Sequence, residues 1–457
     1  MNVSSHERGQ STEQKSKEAA ATIQPKLSAF DLTMIVVSLV IGIGIFRTPT
    51  LVAQSAQTPT VFFAAWIAGG LVSLCGALTY AEIGSRYPVA GGFYKLISEA
   101  FHPVFAFMLN WVIVLTYGAG NIGVALIGAE YINPLLPDPL RGTDGIRGTA
   151  IATVLLFYVI NLLGIRSGAR TQNLLSGLKV VLMLILCAGV FVTPSLASAG
   201  SSAAPSSQSS LGAAFFVSLI AVFYTYGGYQ QVLNFGADIK QPTRNAPRGV
   251  IGGMLLIMAL YLSLNYAYYR QLGFEGLAGS KLIAADLARA LFGDWGFVLF
   301  SIAIFISVLG YLNASLLSLP RVYYAMADDG VLPPIFKRVN TRTQTQEFAL
   351  TFLVVIMLLS LFFLGTFEKI VSYVMSVDSI ALASAAATLF VFRRRVKGND
   401  TFTGYRVWAY PWLPLLFIGF LVIVSINVVL NDPGPAAIGW GLFLSGWPLY
   451  YLLKRLV

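Results

Sequence analysis

The stretch Leu39-Val40-Ile41-Gly42-Ile43-Gly44-Ile45-Phe46-Arg47-Thr48-Pro49 decides how the rest of the chain is read. It lies within an apolar run, residues 30–56, long enough to cross a hydrocarbon core of ~30 Å. Yet it holds two glycines, which weaken a helix, and an arginine, which is costly in lipid. An unwound turn in a bilayer leaves backbone groups without partners. It persists only where it is buried in protein or lines a polar cavity. A span interrupted at its middle is therefore a candidate binding site.

The whole chain supports a membrane setting. Of 457 residues, 56% are hydrophobic and 11% charged, less than half the charge of an ordinary soluble domain. The net charge of +10 does not point to nucleic acid, because the basic residues flank apolar spans. Cys75 and Cys187 lie inside apolar runs, so no disulfide framework, metal spacing or cofactor motif is present. His6 and His102 sit near no plausible nucleophile, and the chain does not read as an enzyme. Residues 1–28 read as a polar, disordered tail.

Apolar length and Gly, Pro and charge breaks give an all-α polytopic membrane protein of 12 transmembrane helices. Their limits are near 30–56, 60–84, 103–131, 149–165, 171–193, 211–236, 248–270, 294–325, 346–365, 367–392, 406–430 and 435–453. With the N-terminus inside, 22 Lys and Arg fall on the cytoplasmic side and 6 outside, which the positive-inside rule favours. Both termini are then cytoplasmic. The Ser/Ala/Pro-rich segment 195–210 reads as an external loop between two similar halves.

The break occurs twice. Phe223-Tyr224-Thr225-Tyr226-Gly227-Gly228-Tyr229 places paired glycines at the middle of the sixth span. Gly42 and Gly227 are 185 residues apart, and the starts of spans one and six are 181 apart. Two five-helix units of odd count enter the membrane from opposite sides, so the halves form an inverted repeat with broken helices in matching positions. Backbone N–H groups around Ile43, Gly44 and Ile45, at the start of a half-helix, suit a carboxylate. Carbonyls near Val40 and Ile41 suit an ammonium. A ligand with both groups is an α-amino acid. Glycines that only let helices pack closely are the alternative, and two breaks in register weigh against it.

The stretch GIGIF, residues 42–46, resembles the signature of the amino acid–polyamine–organocation superfamily, especially its L-type and basic amino acid transporters. AEIGSRYPVAGGFYKLISEAF (81–101), FGADIKQPTRNAPRG (235–249), SLPRVYYAMADDGVLPPIFKRVN (318–340) and YRVWAYPWLPLLF (405–417) resemble further family segments. The resemblance covers roughly residues 28–455. It implies the leucine-transporter fold: a 5+5 inverted repeat over 29–193 and 211–396, discontinuous helices 1 and 6, and two peripheral helices in 405–457. It implies amino acid transport by alternating access. Carried over, carboxylate contacts fall at Ile43, Gly44 and Ile45 beside Gly42. Amino-group contacts fall at Ile41 and Tyr224, and Tyr226, Gly227 and Gly228 complete the second break. Tyr224 is the implied gate. AGNIGVALIGAEY (119–131) resembles the arginine/agmatine antiporter and implies a substrate contact at Asn121. Ser315 stands where that antiporter has an aromatic, which argues against an arginine substrate.

Lys179, deep in the fifth span, is a functional candidate by its cost. The resemblance implies that it replaces a second sodium site and bridges spans one and eight; a snorkelling lysine is the alternative. Asp378 in the tenth span reads either as the carrier of a coupling proton or as a structural hydrogen-bonding acid. Arg47 either steers carboxylates or reaches the interface, and Glu82 with Arg86 reads as a cytoplasmic gate or loop salt bridge. The expectation is a multi-pass permease of the cytoplasmic (inner) membrane for neutral or small L-amino acids. It would work in the lipid bilayer as an exchanger or proton symporter, with a homodimer left open. A polyamine or organic-cation carrier and a transport-dead amino acid sensor are the alternatives.

Overall fold

The computed structural model describes residues 25–42, 44–192, 210–280, 282–363, 367–396 and 402–456. Ile43, the tail ahead of residue 25 and residues 195–209 lie outside the described residues. Among the described residues, nine helices are long and apolar enough to cross a membrane. Three shorter apolar helices, Ala29–Val40, Pro103–Val114 and Glu347–Leu361, join them. The described residues form β-structure only at two isolated bridges, Leu27 with Ile239 and Ala90 with Phe235.

In chain order the helices are α1 (Ala29–Val40), α2 (Thr48–Ala56), α3 (Pro59–Arg86), α4 (Gly92–Ala100), α5 (Pro103–Ile132), α6 (Thr143–Leu162), α7 (Ile165–Val192) and α8 (Leu211–Thr225). They continue as α9 (Pro242–Gly279), α10 (Ile283–Phe292), α11 (Asp294–Ser318), α12 (Pro320–Asp328), α13 (Glu347–Phe363), α14 (Phe367–Arg395), α15 (Trp412–Asn431) and α16 (Pro433–Leu456). α9 packs on α1 and α3, and α8 packs on α2 and α3. α11 packs on α1, α5 and α7, while α14 holds α15 and α16. Leu155, Leu174, Leu184, Ile426 and Leu444 remain exposed on the outer helices. In water such a belt would drive aggregation; against lipid it costs nothing.

Local chemistry sets the helix ends. α1 opens with a capping box: the Asp31 N–H donates to Ser28 Oγ at 3.2 Å, and the Ser28 N–H to Asp31 Oδ2 at 2.8 Å. Asp31 Oδ1 also accepts from Asn173 Nδ2 of α7 at 2.6 Å. The sixth span, expected over 211–236 with a break at Gly227 and Gly228, stops as an α-helix at Thr225 and resumes as a 3₁₀ turn over Tyr229–Asn234. The eighth span is divided at Pro320, which cannot donate a backbone N–H to the helix before it. α9 runs longer than its expected limits and kinks at Gly273.

One end of the bundle is closed by charge and main chain. Arg321 Nε donates to Asp238 Oδ2 at 2.6 Å, with both side chains buried and the guanidinium stacked 4.5 Å from the Phe235 ring. The Asp238 carbonyl accepts from the backbone N–H groups of Lys26 and Leu27 at 2.7 and 2.8 Å. Glu82, fully buried, accepts from Arg393 Nη2 at 2.6 Å, from Arg86 Nε at 2.7 Å and from the Val407 N–H at 2.7 Å. Lys95 pairs with Asp329 on the same end. Desolvation alone would lower the Lys95 pKa, but the Asp329 carboxylate holds it above the ordinary lysine value.

Candidate functional site

The two helix breaks touch. α1 ends with its cap N–H at Ile41 bonded to the Val37 carbonyl, and the Gly42 N–H bonds the Val40 carbonyl at 2.7 Å. A 3₁₀ turn over Gly44–Phe46 follows, and α2 starts at Thr48 with Pro49 in its first turn. Opposite, Gly228 sits at φ +117°, a conformation that L side chains rarely adopt. A Cβ there would lie 2.3 Å from the Leu39 carbonyl oxygen, so this position needs glycine twice over. A Cβ on Gly44 would lie 3.0 Å from Thr225 Cγ2. Two of the glycines that read as breaks, Gly44 and Gly228, are therefore also points where the breaks abut.

The carbonyls exposed by the first break are engaged by the protein itself. Ile41 O accepts from Lys179 Nζ at 2.6 Å and, more weakly, from Ser307 Oγ at 3.4 Å. Ser38 O lies 3.4 Å from the same ammonium. Val40 O accepts from the Tyr261 hydroxyl at 2.9 Å. The expected role of these carbonyls toward a substrate ammonium thus meets competition from Lys179, Ser307 and Tyr261. Lys179 is 2% exposed and lies against Gly310 of α11, whose Cβ would come 2.8 Å from Lys179 Cε. The lysine of α7 thus contacts both α11 and the carbonyl at the end of α1, and it does not snorkel.

Tyr224 carries a hydroxyl that donates to Met375 O at 2.9 Å and lies 2.6 Å from Ser379 Oγ, tying the end of α8 to α14. Asn121 Nδ2 donates to Ser315 Oγ at 2.7 Å, so the residues named on α5 and α11 form one buried pair. Tyr226 caps the end of α8 at the second break. Its ring packs 5.0 Å from Tyr261 and 5.9 Å from Trp66, which leaves only its backbone at the break. Gly227 lies at the turn, its N–H bonded to the Tyr224 carbonyl at 3.0 Å. Ile45 is fully buried, and Ile43 falls outside the described residues. Asp378 does not join this group; it lines a separate space beside Tyr117 and Gln231.

The sequence reading missed two tyrosines. Tyr311 of α11 faces Gly42, 3.5 Å from where its Cβ would stand. Tyr261 of α9 reaches Val40 O. Neither carries a local signature, since each acts across more than 200 residues of chain. The described residues hold no group of three or more His, Cys, Asp or Glu placed to bind a metal.

The family model described as amino acid permease matches residues 27–453. The serine/threonine exchanger SteT of Bacillus subtilis (strain 168) is 29% identical over 431 residues, covering 93% of this chain and 96% of the relative. The large neutral amino acids transporter small subunit 2 of Homo sapiens is 26% identical, covering 92% and 78%. The methylthioribose transporter of Bacillus subtilis (strain 168) is 25% identical, covering 97% and 96%.

Proposed function

Since the chain belongs to the amino acid permease family, matched from residue 27 to residue 453, we propose that it moves neutral or small L-amino acids by alternating access, as an exchanger or proton symporter. The fold behind this reading is the leucine-transporter fold with twelve spans. Residues 29–193 and 211–396 are its inverted repeats, 405–457 its two peripheral helices, and both termini face the cytoplasm of the cell whose inner membrane holds it. The observation that carries it is the pair of facing breaks, with Gly44 against Thr225 and Gly228 against Leu39.

In this mechanism the start of α2 and its 3₁₀ turn receive the carboxylate on backbone N–H groups, where the half-helix dipole favours negative charge. The amino group finds acceptors at the end of α8. Tyr224 closes over the ligand and is released with its α14 anchor. Lys179 donates to the Ile41 carbonyl where α1, α7 and α11 meet, keeping the break intact as the helices rock. Asn121 and Ser315 border the part of the site that reads the side chain.

The large neutral and serine/threonine cargoes in the relatives' names support a neutral substrate. A radiolabelled counterflow panel in proteoliposomes at two pH values tests the proposal. It should give saturable exchange of one or more neutral amino acids. Exchange of none, with the purified protein inserted and folded, would overturn it. The methylthioribose relative justifies adding non-amino-acid solutes to the panel.

A further inference from the structure

Beneath the Tyr224 anchor, several acceptors with no hydrogen-bond partner among the described residues converge. A small enclosed space between α5, the Tyr229–Asn234 turn and α14 is lined by Asn110, Tyr117, Gln230, Gln231, Asn234 and Asp378 among others. It has room for a guest of about a water's size. Asn110 Oδ1, Gln231 Oε1 and Asn234 Oδ1 are buried and accept no hydrogen bond from a described residue. The three residues are 1%, 4% and 2% exposed.

The amide orientations follow from their other ends. Asn110 Nδ2 donates to Ala106 O at 2.8 Å and Asn234 Nδ2 to Ser318 Oγ at 3.0 Å, which turns each oxygen away from those partners. Gln230 Oε1 is already used, accepting the Gly228 N–H at 2.8 Å. The residues around the space thus bring three unpaired amide oxygens and the Asp378 carboxyl together, with the Tyr117 hydroxyl beside them.

Buried acceptors left unpaired are costly, and a lone carboxylate at membrane depth more so. One guest removes both costs: a cation. Oxygen ligands of this kind replace the hydration shell of a hard monovalent ion, as rings of carbonyls do in potassium channels. A single carboxylate balances one positive charge, whereas divalent sites gather several. We infer that Asp378, Asn110, Gln231 and Asn234 form a binding site for a small monovalent cation, either an alkali ion from solution or the ammonium end of a cargo. As a transporter's coupling or cargo site it rests on the permease reading. As a binding site it stands on the four residues. Met375 and Ser379, which hold the Tyr224 hydroxyl, flank Asp378 on α14. An ion bound here is therefore held by the segment that anchors the gate.

The test is thermal unfolding of the purified full-length protein without amino acid, at constant ionic strength. Lithium, sodium, potassium, ammonium and methylammonium chlorides are compared with N-methyl-D-glucamine chloride. The expected result is a saturable rise in Tm for at least one small cation, since a ligand that binds only the folded state stabilises it. A rise with alkali ions identifies the solution source; a rise with methylammonium alone identifies a cargo ammonium. Asp378→Asn should abolish the rise, and Asn110→Leu should weaken apparent affinity by about tenfold or more. Equal Tm in every salt for the wild type overturns the site, with Asp378 then a neutral acid beside water. So does an undiminished rise in Asp378→Asn. The wild-type series decides even if a variant fails to fold. Counterflow on the same preparation separates the failures: absent exchange with an intact cation-dependent Tm speaks against the transport reading alone.

Discussion

Gly228 shows what a single residue decides. Replacing it with alanine places a methyl 2.3 Å from Leu39 O at a φ of +117°. The strained backbone alone costs of order 1–3 kcal/mol, and the backbone overlap can be relieved only by separating the breaks. Gly228→Ala should therefore lose folded protein in a thermal unfolding assay; a Tm equal to wild type would refute the contact. Gly44 is subtler, because its would-be neighbour is a side chain. Gly44→Val should leave insertion intact and nearly abolish substrate binding, since the branch meets Thr225 and fills the approach to the backbone. Wild-type affinity in an inserted Gly44→Val protein would sink the carboxylate site. At Tyr224, phenylalanine removes two hydrogen bonds, together worth about 1–3 kcal/mol, and keeps the ring. Tyr224→Phe should raise the half-saturation constant several-fold in counterflow, and an unchanged value would remove the hydroxyl from the gate. The glycine pairs could be read from the sequence because a break inside an apolar run is a local anomaly. The direction of the Tyr226 ring, packed on Tyr261 and Trp66, could not be read from its position beside Gly227.

At the scale of elements, α7 is the member that ties distant helices together. Gln172, Ser176 and Lys179 stand at i, i+4 and i+7, on one face, and all are buried. Asn313 of α11 donates to Gln172 Oε1 and to Gly168 O, both at 2.9 Å, and accepts from Asn161 Nδ2 of α6 at 2.8 Å. Gln172 Nε2 reaches Ser176 Oγ at 3.1 Å, and Ser176 Oγ lies 2.7 Å from Ser38 Oγ of α1. A buried polar line thus joins α6, α11, α7 and α1 and ends beside Lys179. Hydrogen bonds inside membrane proteins average only ~0.6 kcal/mol, so losing the three made by Asn313 should cost about 2 kcal/mol. Asn313→Ala should lower Tm by several degrees; no change would show that the line is replaceable. Lys179→Ala should impair exchange more than folding, compared side by side with wild type in proteoliposomes. Equal rates would return the lysine to a packing role. The sequence pointed to Lys179 because a deep charge is rare. It could not point to Asn313, because a polar residue in an apolar run names no partner, and this one's partners lie 141, 145 and 152 residues away.

For the molecule as a whole, the closed end is held by the Asp238–Arg321 pair and the Lys26–Leu27 main chain. Removing one member of a buried pair leaves the other charged and uncompensated, at about 3–5 kcal/mol. Arg321→Gln should therefore shift the population toward states in which this end opens. A Ser318→Cys reporter, in a background where Cys75 and Cys187 are alanine, should react faster with a polar maleimide when Arg321→Gln is added. Equal labelling rates would show that the pair does not hold the closure.

The contact between the two breaks is made of main chain and glycine, and that has a consequence for how such proteins diverge. Gly228 meets a carbonyl and Gly44 meets a threonine methyl. Asn121 and Ser315, proposed above to border the cargo's side chain, stand on α5 and α11. On that proposal, mutation can rewrite what is carried without refitting the joint between the breaks. Relatives named for serine and threonine, for large neutral amino acids and for a methylthio sugar are aligned along nearly the whole of this chain. They are what an evolvable chassis of this kind would leave behind.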